Sequence, residues 1–142
     1  MDKLTGVPEQ NNEDRLSAPY SWDHLSDDPS VWDRVRANHV LGQRLTGTVA
    51  QIPRPGAIGI FIDLGLPVSG FVDVLLLPNS TSKWPIEGTV TEFLVWWMDP
   101  NRPQIRLVPA ESCYRREDFA TWCLAHAPLG DPRVLDQFRF DP

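Results

Sequence analysis

Residues 56–75, GAIGIFIDLGLPVSGFVDVL, contain two short apolar runs joined by the turn-forming segment GLPVSG. Side chains alternate between the two faces of a β-strand, so every second residue of each run shares a face. The alternation predicts that six aliphatic residues face a common interior: Ile58, Ile60, Ile62, Leu64, Val72 and Val74. It places Phe61 and Phe71 on the outer face of a hairpin, with Gly59 and Asp73 beside them, and leaves a face of the Phe61 ring uncovered next to Gly59.

The hairpin lies within residues 43–109, a region rich in β-branched residues, glycine and proline. Five segments there have the pattern of strands: 43–52, 57–64, 69–74, 88–98 and 104–108. Turn and breaker sequences separate them, and the longest link joins the third strand to the fourth. This arrangement favours a mainly β fold, a small closed Greek-key barrel of the OB type, because an open sheet of this size would expose unpaired edges.

The segments on either side of the barrel have different patterns, and we expect short helices at both ends. Residues 1–20 are polar with no sustained period, which predicts a disordered or loosely ordered segment. Residues 21–42 are a lead-in with one short helix, which has Ser30 as its predicted N-cap and ends near Gly42. Residues 110–142 return to a helical pattern. Three apolar side chains of this extension are expected to pack against the barrel: Phe119, Trp122 and Leu135.

The charge distribution limits the kinds of partner. The formal net charge is −6, of which −4 lies in residues 1–40 and −2 in residues 110–142, while residues 41–109 are balanced. Strong nonspecific nucleic-acid binders carry a basic footprint instead. The composition therefore argues against that class, but it leaves open a binder that depends on stacking.

Membrane and secretion signals are not found in the sequence. No apolar run approaches the roughly 18 residues that a transmembrane helix needs, and the N-terminus lacks the apolar core of a signal peptide. Cys113 and Cys123 are about 15 Å apart if the segment between them is helical, too far for a disulfide. We therefore expect a cytoplasmic protein with reduced thiols.

Exposed aromatic rings on the face of an OB barrel have a known physical use. Nucleobases stack on them with about 1–3 kcal/mol per base and little sequence preference. RNA-binding proteins use such rings on unpaired bases. Phe61 and Phe71 therefore predict binding of single-stranded RNA. A second interpretation is equally open, in which the chain's own terminal helices cover both rings.

The strand sequences also resemble a known family, the S1 RNA-binding domain. Five segments carry the resemblance, in order and with matching spacing: GTVAQI (47–52), GIFIDLG (59–65), SGFVDV (69–74), EGTVTEF (87–93) and MDPNRPQIRL (98–107). The resemblance extends to small S1-like proteins of actinobacterial type. It implies an OB barrel and an RNA-binding surface on its outer face.

The resemblance also implies roles for individual residues. Phe61 matches the aromatic residue that the family places in the second strand. Asp99 matches an acidic position, and Arg106 lies close to a basic position that Gln104 occupies here. These three residues, Phe61, Asp99 and Arg106, are therefore predicted to belong to the RNA-binding surface.

Two positions depart from the family pattern. Arg54 or Pro55 stands where the family has a loop aromatic, and Asp73 stands where it has a histidine. A carboxylate at Asp73 would face the RNA phosphates and oppose their binding. Four basic side chains are predicted to contact phosphate: Arg44, Arg54, Lys83 and Arg106.

The alternative function is a protein–protein interaction module that keeps the S1-like barrel without RNA binding, which the acidic charge and Asp73 favour. No catalytic, cofactor-binding or metal-binding constellation occurs in the sequence, so an enzyme is not expected. Trp97 and Leu94 are predicted to form an outer apolar patch beside a bulge near Trp96. The favoured interpretation is that the terminal helices cover the patch, and the alternative is that it is a surface for a partner. Trp84 is predicted to plug one end of the barrel.

Overall fold

The computed structural model describes residues 23–119, 121 and 122. One complete helix and five strands are defined there: α1 (Pro29–Ala37), β1 (Arg44–Gln51), β2 (Gly59–Asp63), β3 (Ser69–Asp73), β4 (Val90–Met98) and β5 (Gln104–Pro109). Phe119, Thr121 and Trp122 are helical as well. Three short 3-10 turns complete them: Val74–Leu76, Thr81–Lys83 and Ser112–Tyr114. No helix in these residues is long and apolar enough to cross a bilayer.

The five strands form a closed barrel in the order β1-β2-β3-β5-β4. Neighbouring strands are antiparallel except for β3 and β5, which are parallel. Because β5 lies between β3 and β4, the link between those two strands crosses one end of the barrel and contains two of the 3-10 turns. The prediction of a five-stranded Greek-key barrel of the OB type is confirmed.

The barrel interior is filled by the alternate residues of each strand. Seven of them are fully buried: Ile60, Ile62, Val72, Phe93, Val95, Ile105 and Leu107. The predicted alternation fails at Ile58, which is 51% exposed. The reason is that Ile58 has a left-handed backbone with φ of 62° and lies before the first residue of β2.

Helix α1 lies against the β4–β5 turn. Its N-cap is Asp28, whose Oδ1 accepts hydrogen bonds of 2.9 Å from the backbone N–H and from the hydroxyl of Ser30. The predicted cap, Ser30, was therefore wrong by two residues, and the helix ends at Ala37 instead of near Gly42. Trp32 attaches the helix to the barrel, since its indole N–H donates to the Asp99 carbonyl at 2.9 Å.

The link between β3 and β4 closes the opposite end of the barrel. Trp84 is 5% exposed and belongs to the buried core, as predicted. Its indole N–H donates to the Pro78 carbonyl at 2.7 Å. This bond satisfies the polar atom of an otherwise apolar plug.

The segment after β5 folds back onto the barrel. Phe119 and Trp122 are buried members of the core, as predicted. Arg115 is 5% exposed, and its Nη1 donates to the carbonyls of Pro109 and Ala110 at 3.1 and 2.9 Å. The predictions for residues 1–20 and for Leu135 lie outside the described residues.

Candidate functional site

A row of four side chains crosses the outer face of four adjacent strands. Phe61 on β2 pairs with Phe71 on β3, Phe71 pairs with Arg106 on β5, and Arg106 pairs with Trp97 on β4. We call these four residues the outer row. Residues in register on neighbouring strands project side by side, so the row is one continuous surface. The hairpin therefore brings the two phenylalanines together, as the alternation predicted.

The two phenylalanine rings are in contact but differ in exposure. Their centroids are 5.1 Å apart and their planes are tilted by 47°. Phe61 is half-buried, whereas Phe71 is 9% exposed. The expectation that both rings face solvent is therefore wrong for Phe71, which supports Phe61 from the side.

Gly59 explains the burial of Phe71. A Cβ on Gly59 would lie 3.0 Å from Phe71 Cζ and 2.1 Å from the Val72 carbonyl oxygen. The φ of Gly59, +140°, also belongs to the range that glycine tolerates best. The missing side chain thus makes room for the Phe71 ring. The sequence predicted that Gly59 leaves a face of the Phe61 ring uncovered, whereas the neighbours of Gly59 in the structure belong to Phe71, Val72 and Val74.

The lead-in segment approaches the same side of the barrel. His24 Nε2 is 3.6 Å from Asp63 Oδ1, and the Ser26 N–H donates to the Pro67 carbonyl at 2.9 Å. Asp63 is two residues beyond Phe61 on the same face of β2. This segment therefore borders the outer row next to Phe61.

One acid and one base face each other beside the phenylalanines. Arg106 Nη1 is 4.0 Å from Asp73 Oδ2, and both side chains are 27% exposed. Asp73 Oδ1 also accepts a 2.9 Å hydrogen bond from the Leu75 N–H, which caps the 3-10 turn after β3. Asp73 thus has a structural role, and its charge partly offsets that of Arg106 at this surface.

The other predicted basic residues lie away from the outer row or at its border. Arg44 starts β1 and pairs with Glu92 at 3.1 Å, about 23 Å along the strand from Gln51, the residue opposite Phe61. Lys83 pairs with Glu117 at 3.3 Å in the link between β3 and β4. The structure does not bring Arg44 or Lys83 to the row.

Arg54 occupies the β1–β2 loop, at the end of the barrel where β2 begins. It is exposed and forms no ion pair with any described residue. The groove between this loop and the β3–β4 link is lined by Ile52, Pro55, Thr81 and Trp84, among others. Arg54 is therefore an exposed positive charge in the loop that leads into β2, with no ion pair to a described residue.

Asp99 shapes the β4–β5 turn. Its carboxylate accepts a 2.8 Å hydrogen bond from the Asn101 N–H, and its carbonyl receives the Trp32 indole. Gln104 occupies the position where the S1 family has a basic residue, and it pairs with Ser69 in the β3–β5 register. Asp99 thus borders the row at the β4 end and has a clear structural role there.

Sequence reasoning placed Trp97 in an outer apolar patch but did not include it in the predicted RNA-binding surface. The pairing of β4 with β5 shifts between Val95 and Trp97, which confirms the predicted bulge. Trp96 is 1% exposed and Trp97 is 39% exposed, so Trp97 faces outward as predicted and is not buried. Leu94, predicted outside in the same patch, is 2% exposed. Two adjacent tryptophans in one strand were the available signal for the outward ring.

Acidic and metal-ligating side chains do not gather elsewhere in this part of the chain. Within residues 23–119, 121 and 122, no three His, Cys, Asp or Glu residues come together as a metal site. The aspartates of the barrel have separate partners: Asp63 lies beside His24, Asp73 beside Arg106, and Asp99 accepts the Asn101 N–H.

Comparison with known proteins gives similarity at the level of structure only. No family model and no curated protein matches the sequence. The solution structure of GSP13 from Bacillus subtilis is similar at 21% identity and a TM-score of 0.42, with 51% of this chain and 56% of that chain covered. The chain thus spans little more than half of that protein.

Two further solved structures are similar to a comparable degree. A multidomain protein with nucleic acid binding domains from Streptococcus pneumoniae TIGR4 shares 24% identity, with a TM-score of 0.41 and coverage of 59% of this chain and 28% of that one. The a/eIF2alpha–aDim2p–rRNA complex from Pyrococcus horikoshii OT3 shares 16%, with a TM-score of 0.41 and coverage of 64% and 60%.

At these values the fold assignment rests on this chain's own strand order and not on the neighbours. The closed order β1-β2-β3-β5-β4 is that of an OB barrel, the fold predicted from the strand motifs of residues 47–107.

Proposed function

We propose that this protein binds single-stranded nucleic acid, primarily RNA, on the outer row. The proposal includes no catalysed reaction at this surface. The observation that carries the proposal is the single register of Phe61, Phe71 and Arg106 across β2, β3 and β5. An aromatic ring beside a guanidinium group matches the two repeating parts of a nucleic-acid strand, a flat base and a charged phosphate.

Phe61 is the stacking platform in this proposal. Its ring is half-buried, and contact with Phe71 holds it in one orientation. Because the ring is already held in one orientation, it loses little conformational entropy when a base stacks on it. Phe71 therefore acts mainly by positioning Phe61, and one stacked base contributes about 1–3 kcal/mol.

Arg106 and Arg54 supply the phosphate contacts. Arg106 and Asp73 form an ion pair at 4.0 Å, and both side chains are partly exposed. Such a pair is weak, so a phosphate group can replace the carboxylate beside Arg106. Arg54 has no ion pair among the described residues. Two phosphate contacts on a single strand give a slope of log K against log salt of only about −1.4. We therefore expect weak binding with a shallow salt dependence.

Fluorescence anisotropy of a labelled oligo-uridine tests this proposal. Wild-type protein should raise the anisotropy at low salt, and Phe61→Ala should weaken binding by roughly five- to a hundredfold, the equivalent of one lost stacking contact. The matched control is Val90→Ala, since Val90 is a 65% exposed apolar residue at the far end of β4. If wild-type protein causes no change in the anisotropy of the oligonucleotide at low salt, the proposal is wrong.

The second candidate, a protein-interaction module, has its own supporting observation. Four exposed apolar side chains lie in or beside the loops at the end of the barrel where β2 and β4 begin: Ile58, Leu75, Ile86 and Val90. Together with the net charge of −6, they suit a protein partner better than a polyanion. Capture from lysate that survives nuclease and is lost in Ile86→Asp would favour this candidate over RNA.

A further inference from the structure

We infer that Trp97 is a second stacking platform, so that a bound strand continues from Phe61 over Arg106 onto β4. The inference rests on the proposed function and extends it. It names a residue outside the β2–β3 hairpin, and it requires a ligand several nucleotides long.

The bulge in β4 is what turns Trp97 outward. Val95 pairs with Leu107 and Trp97 pairs with Arg106, so Trp96 is the extra residue between them. Trp96 is 1% exposed whereas Trp97 is 39% exposed. A bulge re-aims side chains and locally disrupts the ladder. Here its effect is to place the large indole of Trp97 beside Arg106 on the outer face.

The spacing suits one continuous strand. Adjacent strands lie about 4.8 Å apart, so Phe61 and Trp97, separated by three strand-to-strand steps, are roughly 14 Å apart across the barrel. Arg106 lies between the two aromatic residues in the same register. One guanidinium group can then contact the phosphates that link bases stacked at either side of it.

Charge near Trp97 suits a polyanion. Arg102 lies in the β4–β5 turn, is exposed and has no ion pair with any described residue. The nearby acid, Asp99, already accepts the Asn101 N–H. Arg102 and Arg106 place two positive charges along the hairpin that carries Trp97, and Asp73, 4.0 Å from Arg106, partly offsets the second of them. An exposed indole beside guanidinium groups matches the bases and phosphates of a nucleic-acid strand.

Tryptophan fluorescence gives a direct readout of this contact. Apart from Trp97, the described tryptophans are at most 5% exposed: Trp32, Trp84, Trp96 and Trp122. Oligo-uridine should quench the wild-type emission, and Trp97→Phe should lose most of that quenching while it still binds, because phenylalanine also stacks. Trp97→Ala should weaken binding to a ten-nucleotide ligand at least about fivefold, with circular dichroism to establish that it is folded.

The outcomes separate the two claims. If wild-type protein binds no oligonucleotide, both fail. If Phe61→Ala weakens binding but Trp97→Ala matches wild type and the quenching persists in Trp97→Phe, the role of Trp97 is overturned and the proposed function stands. If Trp97→Ala keeps full RNA affinity but loses a nuclease-resistant protein partner, Trp97 belongs to a protein interface and the inference is also overturned.

Discussion

Asp73 and Arg106 face each other across the parallel pair of β3 and β5, with Oδ2 and Nη1 4.0 Å apart. The same carboxylate caps the following 3-10 turn through the Leu75 N–H. Asp73 thus caps a backbone turn and also partly neutralises the positive charge of Arg106 in the outer row.

Asp73→Asn should tighten oligo-uridine binding by about two- to fivefold at low salt, the range of an exposed charge interaction. Asparagine keeps an oxygen for the Leu75 N–H, so the turn and the thermal midpoint should change little. Anisotropy titrations at two salt concentrations measure the gain, which should shrink as salt screens the charges. Unchanged or weaker binding at low salt contradicts the proposed location of the ligand phosphates.

Phe71→Ala should mainly lower the stability of the fold, whereas Phe61→Ala should mainly lower the affinity for RNA. Phe71 is 9% exposed, so its loss should cost about 3 kcal/mol of unfolding free energy, the lower end for buried aromatic residues. Phe61 is half-buried and its loss should cost less, but it should lower RNA affinity more. Urea denaturation and anisotropy measure the two effects, and the reverse order in either assay contradicts the assigned roles.

Ile58→Asn should stabilise the protein by about 1 kcal/mol, since a β-branched residue in the left-handed region is strained and asparagine tolerates it. Ile58 is 51% exposed, so little burial is lost. Ile86→Asn is the control, because Ile86 is 75% exposed and is not among the described residues with positive φ. Urea midpoints compare the two variants; an equal response in both argues against strain at Ile58.

The start of α1 gives a pH-dependent prediction. The backbone N–H of Ser30, and then its hydroxyl, hold the pKa of Asp28 below its ordinary value of 3.8. A lowered pKa in the folded state means that the ionised carboxylate contributes stability above that ordinary value and loses it as pH falls through the folded-state pKa. Asp28→Asn keeps a capping oxygen without titrating.

Thermal midpoints of wild type and Asp28→Asn at pH 6 and pH 3 check this. The advantage of wild type over the variant should shrink at the lower pH. A difference that is constant or grows with acidification is inconsistent with the Ser30 hydrogen bonds as the cause of the shift.

The barrel could be predicted from the sequence because strand alternation is a strong local signal. It correctly placed Ile60, Ile62 and Val72 in the interior. It failed at Ile58 because a residue in the left-handed region interrupts the alternation before β2 begins, and composition does not reveal the sign of φ. The helix cap moved to Asp28 because Pro29 fits the first helical position, a preference that Ser30 obscured.

The candidate site was less accessible to sequence reasoning because the exposure of its side chains depends on packing across strands. The pairing of Phe61 with Phe71 follows from the hairpin, but the burial of Phe71 depends on the space above Gly59. The outward position of Trp97 was predicted, but its register beside Arg106 depends on the bulge between Val95 and Trp97. The long separation of Arg44 from the row follows from barrel geometry that charge counts do not contain.

Closure of the five strands restricts how any protein could dock. Each strand of the described barrel has a neighbour on both sides, so its backbone ladder offers no open position for β-strand addition. A protein partner would have to engage loops or outward side chains instead. Substitutions on the surface, which leave the hydrogen-bonded framework intact, should therefore be enough to abolish any such interaction.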